Sequence, residues 1–144
     1  MADIIYKAES FKIIGACFEV YNQKGFGFTE PIYHECLIHE FTLQGVPFVS
    51  QPQLPLTYKD QELAQTFRPD FICYDKIIVE IKSLAALTDA NRAQTLNYLH
   101  ETGFDLGILI NFGQFPKLVY ERLACNQKNA AAGQYEVLAG RLRS

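Results

Sequence analysis

The chain has 144 residues, 49% of them hydrophobic and 20% charged, which suffices for one ordinary core and not for two. A formal net charge of −3 argues against a broad basic face of the kind that clamps duplex nucleic acid, so any contact with a polyanion is expected to be local. No stretch approaches the roughly 18 consecutive apolar residues of a membrane span, and the start MADIIYKAESFK lacks the basic opening and apolar run of a secretion signal, so a cytoplasmic location away from membranes is expected.

In chain order, Ile4, Ala8, Phe11, Gly15, Phe18 and then Tyr21 or Asn22 recur at intervals of three and four, the stripe of an amphipathic helix that Gly25 ends. Thr29 is positioned as the N-cap of a second helix with Pro31 in its first turn. Tyr33, Cys36, Leu37 and Phe41 share one face of it and Gly45 stops it. An antiparallel pair of helices is expected, with Gly25-Phe26-Gly27 as the tight turn between them. From Val46 to Tyr74 the composition shifts to β-branched, aromatic and proline-punctuated sequence, followed by the run Ile77 to Lys82, a pattern that predicts a meander of three or four antiparallel strands. Thr88 caps a third helix running to about Thr102, with Gly103 as its stop, and Asp105 to Asn111 reads as a buried strand. A further strand is placed at Lys117 to Arg122. Residues 1–124 are assigned to one domain and 125–144 to a tail that is either a short helix or loose. Cys17, Cys36, Cys73 and Cys125 contain no CxxC pair and are read as reduced packing thiols.

The chemistry concentrates in the strand ending at Lys82. Side chains alternate along it, so Glu80 and Lys82 project from the same face as Ile78. A three-residue turn at Tyr74-Asp75-Lys76 would pair Cys73 with Ile77, setting Asp70 opposite Glu80 and Arg68 opposite Lys82. Two carboxylates directly opposite on a sheet repel, and burial makes the repulsion worse. A hard divalent ion held by oxygen ligands is the natural compensating charge, and phosphodiester hydrolysis is the reaction that such an ion and a neighbouring lysine serve. Against this, a D…ExK trio in an arbitrary sequence is usually a solvated strand face, Pro69 signals an edge or bulge, and a turn of two or four residues would send the carboxylates to opposite faces.

The segment Arg68-Pro69-Asp70 followed by Val79-Glu80-Ile81-Lys82 resembles the signature of the PD-(D/E)xK nuclease superfamily, and Gly27 to Tyr33 is similar to the G-x-x-E-x-x-Y motif of its GxxExxY branch. Ala93 to Leu99 and Leu109 to Gly113 resemble that branch's AQ-x-x-x-YL helix and LINFG strand, in the expected order. The resemblance implies an α/β restriction-endonuclease-like fold, a central mixed β-sheet flanked by α-helices. It also implies a Mg²⁺-dependent (or Mn²⁺-dependent) nuclease site acting on DNA or RNA. Carried over by position, Asp70 and Glu80 become metal ligands with the Ile81 carbonyl completing the shell, Lys82 orients the water, Glu30 is the helix-borne acid, and Gln94 with Tyr98 supports them.

Each of these has a plainer reading. Glu30 suits a helix N-terminus by its charge alone, and Gln94 with Tyr98, one helical turn apart, would also serve as partly buried polar residues with local partners. Arg68 and Arg92 are candidates for a phosphate contact or are simple surface charges. Glu19 is a lesser candidate for the same cleft. His34, His39 and His100 show no ligand spacing and are assigned solvated or capping roles. The rival to a nuclease is a catalytically silent module of the same fold that binds nucleic acid or a protein partner, and a homodimer with a shared cleft is a further alternative.

Overall fold

Helix formation follows the capping and spacing signals, with one shift of face. In the computed structural model, which describes residues 5–125 and the strand at 136–138, α1 spans Lys7–Lys24 and α2 Glu30–Gln44. The buried face of α1 is Ile13, Ile14, Cys17, Val20 and Tyr21, while Phe11 of the expected stripe is 53% exposed. Two apolar stripes are interleaved along this helix, and the β-branched and small residues of the second pack more closely on a sheet. Helix α2 buries Tyr33, Leu37 and Phe41 as expected. Thr29 sits at its N-cap with extended backbone, although its side chain makes no capping hydrogen bond.

The strands are β1 (Phe48–Ser50), β2 (Leu54–Tyr58), β3 (Gln61–Phe67), β4 (Phe71–Cys73) and β5 (Ile77–Lys82). Helix α3 (Asp89–Thr102) follows, and then β6 (Leu106–Asn111), β7 (Val119–Ala124) and β8 (Glu136–Leu138). Six of the strands form one mixed sheet in the order β1-β4-β5-β6-β7-β8. The expected continuous meander is therefore corrected: β2 and β3 leave the sheet as a separate two-stranded hairpin. Their sequence explains the departure, since Gln61 to Thr66 are all exposed and offer no apolar face to a core. Strands β5 and β6 run parallel, joined by α3 as the crossover. Thr88 caps α3 by accepting from the Asn91 N–H in a reciprocal capping box, and Gly103 in the left-handed region ends it. Beyond Cys125 the expected tail contributes β8, paired antiparallel with β7; its other residues lie outside those described.

The sheet is buried on both faces. Ile77, Val79, Ile81, Ile108 and Ile110 pack against α1 and α2, and Ile78, Leu109 and Leu123 pack against Leu96 and Leu99 of α3. At about 1.5–3 kcal/mol for each fully buried aliphatic side chain, this sandwich holds the ends of β5 and β6 firmly in place. No helix among the described residues is long and apolar enough to cross a membrane.

Asn111, fully buried at the end of β6, ties that end to the segment after β5. Its Oδ1 accepts from the Leu84 N–H at 2.9 Å and its Nδ2 donates to the Leu84 carbonyl at 2.9 Å. Gly113 lies so close that a Cβ there would overlap the Leu84 backbone. Gly113→Ala is expected to lower unfolding stability by about 1–3 kcal/mol, read as a fall in the urea midpoint without a change in slope.

Candidate active site

A tight turn decides where the carboxylates go. Tyr74 and Asp75 both take positive φ, 55° and 58°, and the Lys76 N–H donates to the Cys73 carbonyl at 3.2 Å. The turn pairs Cys73 with Ile77 and Phe71 with Val79, the register expected from an odd-length turn. One step further the ladder is replaced by a reciprocal exchange between main chain and side chains. The Asp70 N–H donates to Glu80 Oε1 at 2.8 Å, and the Ile81 N–H donates to Asp70 Oδ2 at 2.9 Å. Asp70 and Glu80 are thus brought together, each held by one oxygen, with Asp70 Oδ1 and Glu80 Oε2 outside the exchange. The register does not continue to Arg68, which instead donates to Gln53 Oε1 at 3.0 Å. Pro69 breaks the strand between β3 and β4, so the expected pairing of Arg68 with Lys82 is not made.

Glu80 is 4% exposed. Burial first, and then the charge of Asp70, push its carboxyl up to about 8, opposed by the Asp70 N–H and by Lys82. Glu30, at the first position of α2, is raised by burial while Lys82 pulls it down and Asp70 pushes it up, which places it within the same electrostatic cluster. Lys82 Nζ donates to Gln94 Oε1 on α3 at 3.3 Å. Tyr98, one turn along α3, stacks on Phe67 with ring centroids 4.6 Å apart. Its hydroxyl is raised by burial and then by Glu80 and Asp70. Asp70, Glu80, Lys82, Glu30, Gln94 and Tyr98 therefore lie together at one end of the sheet, where Ile81 contributes its N–H while its side chain is in the core.

His34 joins them, contrary to its expected solvated role. Its Nδ1 lies 3.6 Å from Asp70 Oδ1, its Nε2 is 2.8 Å from Ser50 Oγ, and its ring stacks on Phe71 at 4.3 Å. The available signal was its position four residues after Glu30 on α2, which puts both on one helix face. Glu30, His34 and Asp70 line a cavity of about 520 Å³ with Gln51 and Ile38. Tyr33 acts on the backbone instead. Its hydroxyl donates to the Gly25 carbonyl at 2.6 Å and accepts from the Phe28 N–H at 3.2 Å, bracing the loop that delivers Glu30. Other candidates lie elsewhere. Arg92 is occupied by Glu121, to which it donates twice at 2.7 and 2.8 Å, and by Asp89. Glu19 accepts from Gln23 on the outer surface of α1.

A mixed sheet with an Asp at the entry of one hairpin strand and E-x-K at the exit of its partner is the arrangement that the sequence signature describes, and the model of the PD-(D/E)XK nuclease superfamily matches residues 7–123. The chain belongs to the PD-(D/E)XK nuclease superfamily. No curated protein and no solved structure matches it. Within this PD-(D/E)XK chain the matched span runs from the first residue of α1 to β7, so it contains every residue of the cluster.

The folded Glu80 carboxyl is raised above its ordinary value of 4.5, so between about 4.5 and 8 the folded state holds more protons than the unfolded one and stability falls as pH rises. Glu80→Gln keeps an oxygen for the Asp70 N–H and removes the titration. In chelator the variant should be more stable than the unmodified chain at pH 8.5 by about 1 kcal/mol or more, with the gap closing toward pH 4.5, measured as urea midpoints across pH.

Proposed function

We propose that this superfamily member is a nuclease that hydrolyses phosphodiester bonds of DNA or RNA with the help of Mg²⁺ or Mn²⁺, and that Gly27, Glu30 and Tyr33 mark it as one of the GxxExxY branch. The observation that carries the reading is the reciprocal exchange that pins Asp70 to Glu80 with Lys82 on the same strand. Two adjacent carboxylates at one end of an apolar sheet cannot both ionise without cost, which is why the Glu80 carboxyl is pushed up, and that donor set of hard oxygens fits a divalent cation that would relieve the cost. Among the described residues no three His, Cys, Asp or Glu side chains form a ready cage. The fitting mode is thus the one common for Mg²⁺, in which one or two carboxylates are supplemented by water and substrate phosphate.

In this reading Asp70 and Glu80 would hold the cation with the Ile81 carbonyl as a further oxygen donor, and Glu30 would act on it through bound water. A bound divalent ion would neutralise phosphoryl charge and acidify water. Lys82, held by Gln94, orients the attacking water beside the phosphorus and adds a fixed positive charge. Water oxygen adds to phosphorus as the bond to the leaving oxygen breaks, the attacking water's proton passing to solvent and the leaving oxygen taking a proton from solvent, and the approach is set by Lys82 and Gln94. Tyr98 closes the α3 side of the site against bulk water. Free cysteines throughout the described residues fit a reducing, cytoplasmic compartment.

Labelled single- and double-stranded DNA and RNA incubated with Mg²⁺, Mn²⁺ or chelator should be cleaved only with cation. Asp70→Ala and Lys82→Ala should each lower the rate by about 100-fold or more. Cleavage that survives both substitutions would sink the proposal. Binding without cleavage under every cation would favour the silent module.

A further inference from the structure

Three segments meet at the carboxyl ends of the parallel strands β5 and β6, the position where open α/β sheets receive ligands. These are the 25–29 loop that leads into α2, the segment after Lys82, and the turn after β6. Large aromatic side chains stand out from two of them: Phe26 is 50%, Phe28 40% and Phe115 74% exposed. Phe26 and Phe115 lie far apart in sequence, yet their ring centroids are 5.2 Å apart. Scattered surface apolar residues are ordinary, but two exposed rings in contact across the fold, with a third at Phe28 on the same loop packed edge-on to Tyr33, are not.

The bracing is extensive. Tyr33 clasps Gly25 and Phe28, and Ser83 Oγ donates to the Phe28 carbonyl at 2.5 Å. Tyr21 donates to the Gln114 carbonyl at 2.5 Å, while Asn111 Nδ2 donates to Gln114 Oε1 at 2.9 Å. Backbone held this way loses little further freedom when the rings it carries receive a ligand. The platform is also continuous with the site, because Phe28 precedes Glu30 by two positions and Ser83 directly follows Lys82. Lys24 Nζ lies 5.2 Å from the centre of the Phe28 ring, and exposed Lys117 shares the turn of Phe115, so cationic groups flank the rings.

We infer that Phe26, Phe28 and Phe115 form a stacking platform that leads single-stranded nucleic acid into the Asp70–Glu80 site, an inference that rests on the nuclease reading for the reaction but not for the binding. Aromatic faces beside a few lysines are the usual means of gripping an unpaired strand. A duplex keeps its base faces inside its own stack and is gripped through phosphates over a broad basic surface, which a chain of net charge −3 does not offer. The platform thus names the substrate class: an unpaired strand, with DNA and RNA separable by experiment.

Binding of labelled dT20, U20 and a 20-base-pair duplex would be followed by fluorescence anisotropy in chelator, where no strand is cut. The unmodified chain should bind a single strand at least about tenfold more tightly than duplex. Phe115→Ala and the Phe26→Ala/Phe115→Ala double variant should weaken that binding by about 5- to 100-fold, with Phe115→Trp restoring it. Phe11→Ala, an exposed ring on α1 outside the platform, should leave it unchanged, and melting curves would verify that every variant folds. Equal affinity for duplex, or single-strand binding indifferent to both platform variants, would overturn the inference while Asp70-dependent cleavage could still stand. Platform variants that dissociate a dimer without changing oligonucleotide binding would overturn it in favour of a second copy of the chain. Ring-dependent binding with no cleavage of any substrate would uphold the platform and refute the nuclease.

Discussion

The charged end of the sheet depends on two hydrogen bonds in which Asp70 and Glu80 each take the main-chain amide that the other's strand leaves over. Where the β4–β5 ladder would place like charges face to face, the exchange gives each carboxylate a donor and turns a repulsive pair into a fixed one. Fixation has an electrostatic consequence. Glu80 lies against a sheet apolar on both faces, so its proton is retained well above the ordinary carboxylate range, and the pair remains a demand for positive charge that Lys82 only partly meets.

The scaffold around the exchange is rigid for reasons unconnected with chemistry. Asn111 and Gly113 lock the segment after Lys82 to the end of β6, and Tyr33, stacked on Phe112 at 4.4 Å, braces the loop before Glu30. The motif residues therefore divide into two groups. Glu30 faces the charged cluster, whereas Tyr33, Asn111 and Gly113 hold the backbone that positions it. A site built on strand ends and one helix start, with its supports buried, keeps its geometry without help from long loops.

On the proposed nuclease reading, an acidic chain has to attract its polyanion locally. The described structure offers Lys82 within the cluster and Lys24 and Lys117 beside the exposed rings, which on the proposed reading would replace a broad field with a short path of stacking and point charges. The hairpin of β2 and β3 takes no part in that path. It projects as an exposed two-stranded arm that meets the site where Phe67 stacks on Tyr98.

Much of this was legible in the sequence because its causes are local. Capping residues, glycine stops and strand alternation predicted all three helices and the β4–β5 hairpin, with a register that held from Cys73 to Phe71 once the turn was odd in length and failed at Arg68, since each depends on residues within a few positions of one another. The ordered motifs pointed to Asp70, Glu80, Lys82, Glu30, Gln94 and Tyr98 before their convergence was visible. What only the tertiary structure decided depends on distant partners. Which of two stripes α1 buries, whether β2 and β3 join the sheet, and whether Arg92 is free or bound to Glu121 are outcomes of packing between elements. The capture of His34 by Asp70 and Phe71, and the meeting of Phe26 with Phe115, are of the same kind. The sequence by itself determined that Glu80 and Lys82 share one face of a strand, with Asp70 opposite them on condition of an odd-length turn. The fold determined what surrounds them, because burial and neighbouring charge are properties of a place in three dimensions and not of a position in the chain.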